Sequence, residues 1–454
     1  MLRRLLTPSR LLVGSFLGLI LFGTLGLKLL PGLYVGAPLS WIDALFTATS
    51  AVCVTGLVVV NTATHFTFWG EAFLLLLIQL GGLGILTFTT LIILALGRRL
   101  SLHHEATTAL QAELIPEIDF RNLVRNVVVF TFVIEAAGAM LLAALWFPRF
   151  SPGRAVWHAI FQSVSAFCNA GFSSFPDSLM SFQSAPLTLL VIATLIVLGG
   201  LGFLTLEELH LGWNRSGGQR VRISLHSRLV LATTAVLIAV GWVACTSLEW
   251  THTLGGLPPV DRIVNGLFMS VTARTAGFNS VDYANASPGT NFFTILLMSV
   301  GGSPGSTAGG IKTTTLAVLA LLAWAKLRGR PVAETRTRSI PEETIQRSVG
   351  LVVMAFTVVT IGILILAVTE LGTGGPAQAH GSFLAYMFEA VSAFNTVGLS
   401  MGVTGHLSTV GRIVGIVLMY VGRVGPLSVA AAISVEDLVR SKGFRYAYED
   451  VIIG

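Results

Sequence analysis

Four short segments of this chain share one pattern, and that repetition constrains the fold more tightly than any other feature. They read ALFTATSAVCVTGL up to Leu57, AIFQSVSAFCNAGF up to Phe172, GLFMSVTARTAGF up to Phe278 and YMFEAVSAFNTVGL up to Leu399. Each runs from an aromatic residue through small residues, a Ser or Thr and an Ala, to a glycine followed by Leu or Phe. The glycines are Gly56, Gly171, Gly277 and Gly398. Phe46, Phe161 and Phe388 stand ten positions before theirs, and Phe268 stands nine before, so the third copy is one residue shorter. A repeat fixes architecture before any single element does. One such segment could be ordinary small-residue helix packing. Four of them, in register with their flanks, form a repeat.

The flanks repeat too. Apolar stretches precede the four segments at about 11–30, 123–147, 229–249 and 348–370, and others follow at about 71–97, 186–211, 290–325 and 408–433. Glycine clusters recur in the second set: Gly81-Gly82-Leu83-Gly84, Gly199-Gly200-Leu201-Gly202, Gly301-Gly302, and Gly422 with Gly425. The unit is a span, a short re-entrant helix, a glycine loop and a span. Four units of two spans predict an all-α integral membrane protein with eight transmembrane helices around one central pore. The units divide as 1–100, 101–215, 216–340 and 341–454, the third carrying an intramembrane loop at 301–311. Composition agrees: 53% of residues are hydrophobic and 11% charged, against about 25% charged in soluble domains. Such a chain cannot clothe a water-facing surface, so most of its exterior faces lipid. Uncharged stretches bracketed by Glu71 and Arg98, Asp177 and Glu207, Arg228 and Glu249, and Arg347 and Glu370 each reach the roughly 20 residues that cross a bilayer.

The net charge of +6 comes from basic residues between the spans: Arg3, Arg4 and Arg10, Arg98 and Arg99, Arg121 and Arg125, Arg215 to Arg228, Lys326 to Arg347, and Arg440, Lys442 and Arg445. If every unit enters and leaves on one side, these segments share a face. The positive-inside rule makes that face cytoplasmic. The chain is then a multi-pass protein of the cell (inner) membrane with both termini inside. Topology explains the basic balance better than nucleic-acid binding does. Cys53, Cys168 and Cys245 form no CxxC pair, and nothing indicates a disulfide framework or a metal cluster. The N-terminal apolar stretch reads as a retained first span rather than a signal peptide.

Non-helical backbone at membrane depth survives only where protein or water surrounds it. Four glycine turns meet that condition by converging on one axis, with their carbonyls opposed across it. Opposed carbonyls are unfavourable unless a cation lies between them, and such a ring replaces an ion's hydration shell. The C-terminal ends of the four short helices add partial negative charge directed at the same point. Glycine permits positive φ and close approach to the axis. The expected ion-lining residues are Val54, Thr55 and Gly56; Asn169, Ala170 and Gly171; Thr275, Ala276 and Gly277; and Thr396, Val397 and Gly398. None is acidic, so carbonyls must coordinate. Arg274 beside the third turn is expected to point outward and brace its loop.

The motifs SAVCVTGL, AFCNAGF, TARTAGFNS and SAFNTVGLS resemble the four filters of the Trk/Ktr/HKT superfamily of potassium transporters. The resemblance covers nearly the whole chain, including its closing RYAYEDVIIG, and is greatest to the Ktr-type translocating subunit. It implies potassium uptake, with K⁺ held in the filter, no covalent cofactor, and Na⁺ as a candidate activator. In that family a Ser at the first filter glycine accompanies sodium selectivity in some plant members, so four glycines imply a preference for potassium. The resemblance also implies a membrane homodimer and a separate cytosolic ring of nucleotide-binding, RCK-type regulatory subunits. On the residues alone, a secondary carrier coupling the cation to Na⁺ or H⁺ stays open.

The third downstream span is interrupted by Gly301 to Gly310, including Gly302, Ser303, Pro304, Gly305, Gly309 and Gly310, a run that will not hold a helix. It reads as a flexible gate below the filter, or alternatively as a static kink. The resemblance supports the gate. Arg423 interrupts the fourth downstream span, and an intramembrane charge is a functional candidate by default. The resemblance implies that it forms an electrostatic barrier and holds gate carbonyls. Lys312, Glu135, Glu389 and Asp43 are further charges in apolar segments, Asp43 reading as a helix cap. Enzymatic motifs fail. Gly301-Gly302-Ser303-Pro304-Gly305 matches G-x-S-x-G without a preceding strand or a partner His and acid, and Ile311 breaks the phosphate-loop pattern running to Thr313.

Overall fold

The computed structural model describes residues 8–84, 120–214, 223–330, 333–335, 338–371 and 382–433. Arg3, Arg4, Arg98, Arg99, Arg215, Arg220, Arg222, Arg336, Arg440, Lys442 and Arg445, and with them most of the topology argument, lie outside the described residues, as does the closing RYAYEDVIIG.

Each unit opens with a long helix: Pro8–Leu29, Phe120–Trp146, Leu225–Glu249 and Glu342–Glu370. Runs of Leu, Val, Ile and Ala with no interior proline suit helices whose backbone bonds must all be satisfied internally. Their apolar windows have mean hydropathies of 1.9 to 2.9, yet only 17–28% of each window is buried. Apolar and unburied together, they form the outer belt of a membrane protein.

A short helix follows in each unit: Trp41–Val52, Pro152–Phe167, Pro259–Thr272 and Ser382–Phe394, of 12, 16, 14 and 13 residues. At about 1.5 Å per residue, none reaches the ~30 Å needed to cross hydrocarbon. Proline at the first helical position starts the second and third, where its missing N–H costs nothing. In the first, the expected cap at Asp43 is a step off. Ser40 is the N-cap and accepts from the Asp43 N–H, while the Asp43 carboxylate accepts from the Ser40 hydroxyl at 2.7 Å. The motif aromatics Phe46, Phe161, Phe268 and Phe388 are all at most 1% exposed. They recur because each anchors its short helix in the core.

The downstream spans depart from expectation. The stretches at 186–211 and 408–433 are not continuous helices. Pro186–Gly200 and Phe203–Asn214 are separate, bent by 98° at the break, with Gly202 at φ +87°. Thr409–Val424 ends at Gly425, φ +90°, before Pro426–Ile433 begins. In the third unit Pro288–Met298 and Thr313–Leu327 are parted by the glycine-rich loop, and in the first Phe68–Gly82 ends at its glycine cluster. Among the described residues units 2, 3 and 4 share a break, longest in unit 3. Backbones approach closely at three of the glycine clusters. A Cβ on Gly81, Gly199 or Gly422 would overlap the carbonyl oxygen of Val52, Phe167 or Phe394, the last residue of the neighbouring short helix.

Inter-helix packing closes the four units into a ring. Each short helix packs on its own long helix and also on the downstream helix of the preceding unit: 41–52 on 409–424, 152–167 on 68–82, 259–272 on 186–200, and 382–394 on 288–298. Unit 4 therefore meets unit 1, and the four short helices surround a common centre. A two-residue strand pair, Glu334–Thr335 with Arg338–Ser339, is the one sheet among the described residues.

Candidate functional site: a ring of four glycine turns

Each short helix runs into a turn with the same backbone. Val54, Asn169, Thr275 and Thr396 have φ of +56°, +59°, +66° and +51°, and Gly56, Gly171, Gly277 and Gly398 have φ of +94°, +69°, +80° and +93°. Left-handed backbone suits glycine. At β-branched Val and Thr it costs energy and has to be imposed by the surroundings.

The imposing contacts come from the motif Ser and Thr. The N–H groups of Thr55, Ala170 and Val397 each donate to the carbonyl of Ser50, Ser165 or Ser392 at 2.8 Å, and Ala276 donates to Thr272 at 3.0 Å. The hydroxyls of Ser50 and Ser392 accept from Gly56 and Gly398 at 3.1 Å. Those of Ser165 and Thr272 donate to the carbonyls of Phe172 at 2.6 Å and Phe278 at 2.8 Å. The small hydroxyl residue in each motif is a bracket for the turn. The turn N–H groups thus bond backward to the helix, which leaves the turn carbonyls free of those bonds.

The four turns touch in sequence. A Cβ on Gly56 would lie 2.5 Å from the Ala170 carbonyl oxygen and 2.9 Å from Gly171 Cα; one on Gly171, 2.9 Å from the Ala276 oxygen; one on Gly277, 2.5 Å from the Val397 oxygen; and one on Gly398 would overlap the Thr55 oxygen. Four carbonyls and four glycines alternate around a closed ring. All twelve expected lining residues fall in these turns. The side-chain hydroxyls of Thr55, Thr275 and Thr396 are buried without a hydrogen-bond partner, a cost of about 1–3 kcal/mol each unless something else meets them.

Above the ring lies a cavity of about 260 Å³, floored by the four glycines and lined by polar side chains that include Asn61, Ser173, Asn279, Asp282, Ser400 and Thr404.

Below the ring runs the unit-3 loop. Its first half is stitched to the break in unit 2: Ser303 N–H donates to Gly200 O at 2.9 Å, and Phe203 N–H donates to Gly305 O at 3.1 Å. A Cβ on Gly202 would meet Pro304 O at 2.5 Å, and one on Gly302 would meet Gly200 O at 2.9 Å. Its second half lies under unit 4, where a Cβ on Gly309 would overlap Thr396 Oγ1 and one on Gly310 would meet Asn395 Oδ1 at 2.7 Å. The Thr307 hydroxyl donates to Phe167 O and Gly199 O, both at 3.1 Å. The loop thus crosses beneath the ring from unit 2 to unit 4.

Three cationic side chains engage this loop. Arg423 donates to Thr307 O through Nη1 and to Gly81 O through Nη2 at 2.9 Å. Lys312 Nζ donates to Ala308 O at 2.7 Å. Arg274 reaches the loop from beside the third turn. It is buried at 8% exposure and lies beside Gly200, Thr234 and Gly302, where its Nη2 approaches Gly301 O at 3.4 Å. It braces the unit-3 loop rather than its own turn.

The buried acids brace structure. Glu135 accepts from Gln79 Nε2 at 3.2 Å, and Glu389 accepts from the hydroxyls of Ser400, at 2.9 Å, and Thr404. Two acids escape sequence reasoning. Glu249 accepts from Ser287 N–H at 2.9 Å, and Glu370 from Ser408 N–H at 3.1 Å. Each ends its long helix and holds the N-cap residue of its unit's downstream helix. Their shared position relative to those two serines was the signal available. Cys53, Cys168 and Cys245 are free and buried, and among the described residues no group of His, Cys, Asp and Glu could hold a metal ion.

An apolar outer belt around a closed ring of glycine turns is the architecture of a membrane transport protein. The chain belongs to the TrkH family of cation transport proteins, whose model matches residues 21–440. It is 39% identical over 428 residues to Ktr system potassium uptake protein B of Bacillus subtilis, covering 94% of this chain and 92% of that one. It is 36% identical over 453 residues to the potassium/sodium uptake protein NtpJ of Enterococcus hirae, covering 100% and 98%. Its fold matches the crystal structure of the potassium transporter TrkH from Vibrio parahaemolyticus with a TM-score of 0.71 at 20% identity, over 93% of this chain and 85% of that one.

Proposed function

We propose that this chain takes up potassium across the cell membrane, through a filter formed by the carbonyls of its four glycine turns. The observation that carries the reading is the closed ring in which Gly56, Gly171, Gly277 and Gly398 alternate with the carbonyls of Thr55, Ala170, Ala276 and Val397. A dehydrated cation at the centre relieves the repulsion between those carbonyls and takes them in place of water. The short-helix C-termini add partial negative charge at the same place. In this reading the unit architecture is eight spans, the short helices are re-entrant, and the third-unit loop is the gate. With the loop seated, Arg423 places a positive charge below the filter and opposes a passing cation. Opening requires the loop to leave its carbonyl partners in units 2 and 4.

The names of the relatives support potassium as the transported ion and place Bacillus protein B within a Ktr system. By that likeness this chain works as a membrane homodimer docked to a cytosolic, RCK-type nucleotide-binding ring, with both termini cytoplasmic. The name of NtpJ, a potassium/sodium uptake protein, favours a second reading in which Na⁺ activates or accompanies potassium.

The test is rescue of cells lacking potassium uptake, grown in low potassium with the chain and its regulatory subunit co-expressed. Growth is expected. Absence of growth with the protein present in the membrane refutes uptake. The reversal potential of the current separates the two readings: it follows the K⁺ gradient alone for a pure potassium pore and shifts with the Na⁺ gradient if sodium moves too.

A further inference from the structure

The cavity above the ring is polar but nearly free of charge. Of the described residues that line it, Asp282 alone carries one. The nearby Asp177 is not among the lining residues, and its carboxylate accepts from Ser181 N–H at 2.9 Å. Asp282 sits five residues after Gly277, where unit 1 has Asn61 five residues after Gly56. Units 1 and 3 are not neighbours in the ring, so a neutral amide stands across the cavity from the carboxylate.

Local bonds fix Asp282 without neutralising it. Oδ1 accepts from Ala284 N–H at 3.0 Å and Oδ2 accepts from Asn285 Nδ2 at 2.7 Å. Both donors are uncharged, and no ion pair among the described residues includes it. A fixed charge in a cleft with low-dielectric walls focuses its field into the opening and raises the local concentration of counter-ions.

We propose that Asp282 concentrates cations at the outer mouth of the filter and so sets the rate at which ions reach it when they are scarce. The inference rests on the filter reading above. Asp282 acts through its field and is not a ligand of the dehydrated ion, because the ring of carbonyls lies below it. It therefore governs throughput at low cation concentration and leaves the choice between K⁺ and Na⁺ to the ring.

The experiment is Rb⁺ influx into liposomes holding the purified protein together with its regulatory subunit, at fixed low Rb⁺, with ionic strength varied by an impermeant salt. Asp282→Asn keeps the oxygen that accepts from Ala284 and is expected to cut influx by about two- to tenfold at ~10 mM ionic strength. The deficit is expected to vanish near ~1 M, where the Debye length has fallen from about 30 Å to about 3 Å. Asp282→Cys, modified with a negatively charged methanethiosulfonate, should regain influx, and with a positively charged one should lose more; the three native cysteines are buried. A deficit independent of salt, or equal effects of the two reagents, overturns the proposal, since either marks a steric role. A wild-type protein that passes no Rb⁺ at all overturns the filter reading instead, and this inference falls with it.

Discussion

Arg423, on the downstream helix of unit 4, donates to the carbonyl of Thr307 in the unit-3 loop and to the carbonyl of Gly81 in unit 1. One guanidinium thus ties three of the four units together directly beneath the glycine ring. Thr307 in turn donates to Phe167 and Gly199 of unit 2, so the fourth unit joins through the same residue.

Replacing Arg423 with Gln removes the charge and one fork of this clasp. Charge-assisted hydrogen bonds contribute about 1.5–3 kcal/mol each, enough to shift a gating equilibrium by tenfold or more. Ion flux through Arg423→Gln is expected to rise several-fold in liposomes while the K⁺ to Na⁺ ratio stays fixed. Deleting part of 303–309 should act in the same direction. Unchanged flux in both variants would rule out a gating role for the loop.

The ring has little room for side chains. A Cβ on Gly398 overlaps Thr55 O, and one on Gly56 comes within 2.5 Å of Ala170 O; both glycines hold φ above +90°. An L-residue there costs about 1–3 kcal/mol in backbone strain alone, and the neighbouring carbonyl must also move. Gly56→Ser and Gly398→Ala are therefore expected to lower K⁺ over Na⁺ discrimination or abolish flux, as read from bi-ionic reversal potentials. Wild-type selectivity in both variants would count against a filter at this ring.

Much of this site could be read from the sequence because its chemistry is backbone chemistry. The turns need glycine for φ and approach, and glycine is visible in a sequence. Arg423 was legible as a charge in an apolar run. The breaks at Gly202 and Gly425 were not, because glycine in an apolar helix also serves ordinary packing, and only the tertiary approach of Gly199 to Phe167 and of Gly422 to Phe394 separates the two uses. Positive φ at Val54 and Thr396 was equally hidden. Those residues disfavour it intrinsically, and it is the backbone bonds from Thr55 to Ser50 and from Val397 to Ser392 that impose it. Which loop Arg274 braces was not legible, because its partner, Gly301, is 27 residues away and meets it only once the third unit has folded.

Not every glycine is constrained, and the contrast is measurable. Gly422 packs its Cα hydrogens on the Phe394 carbonyl, where a Cβ would overlap the oxygen; around Gly14 and Gly18, on the first long helix, nothing lies within 4 Å of a Cβ. Gly422→Ala should cost about 1–3 kcal/mol through overpacking and lower the Tm of the detergent-solubilised protein. Gly14→Ala and Gly18→Ala should raise it slightly, by up to about 1 kcal/mol each. Equal shifts at all three positions would show that the close approach at Gly422 is not a constraint.

One ion pair adds to the contacts that close the ring between units 4 and 1. Arg412 Nη1 lies 2.5 Å from Asp43 Oδ1, with the side chains 22% and 18% exposed. Asp43 stands in the first turn of the unit-1 short helix, where a carboxylate also complements the helix dipole. Partial burial puts the pair between the ~0–1 kcal/mol of surface bridges and the 3–5 kcal/mol lost on breaking a buried one. Asp43→Asn and Arg412→Met should each cost about 1–3 kcal/mol, read as a lower Tm in detergent. The reversed pair, Asp43→Arg with Arg412→Asp, separates pairing from dipole effects. It should recover part of the pair energy yet remain below wild type, because it places a cation at a helix N-terminus. Full recovery would show that the dipole contributes nothing, and no recovery relative to the single reversals would show that the two residues do not pair.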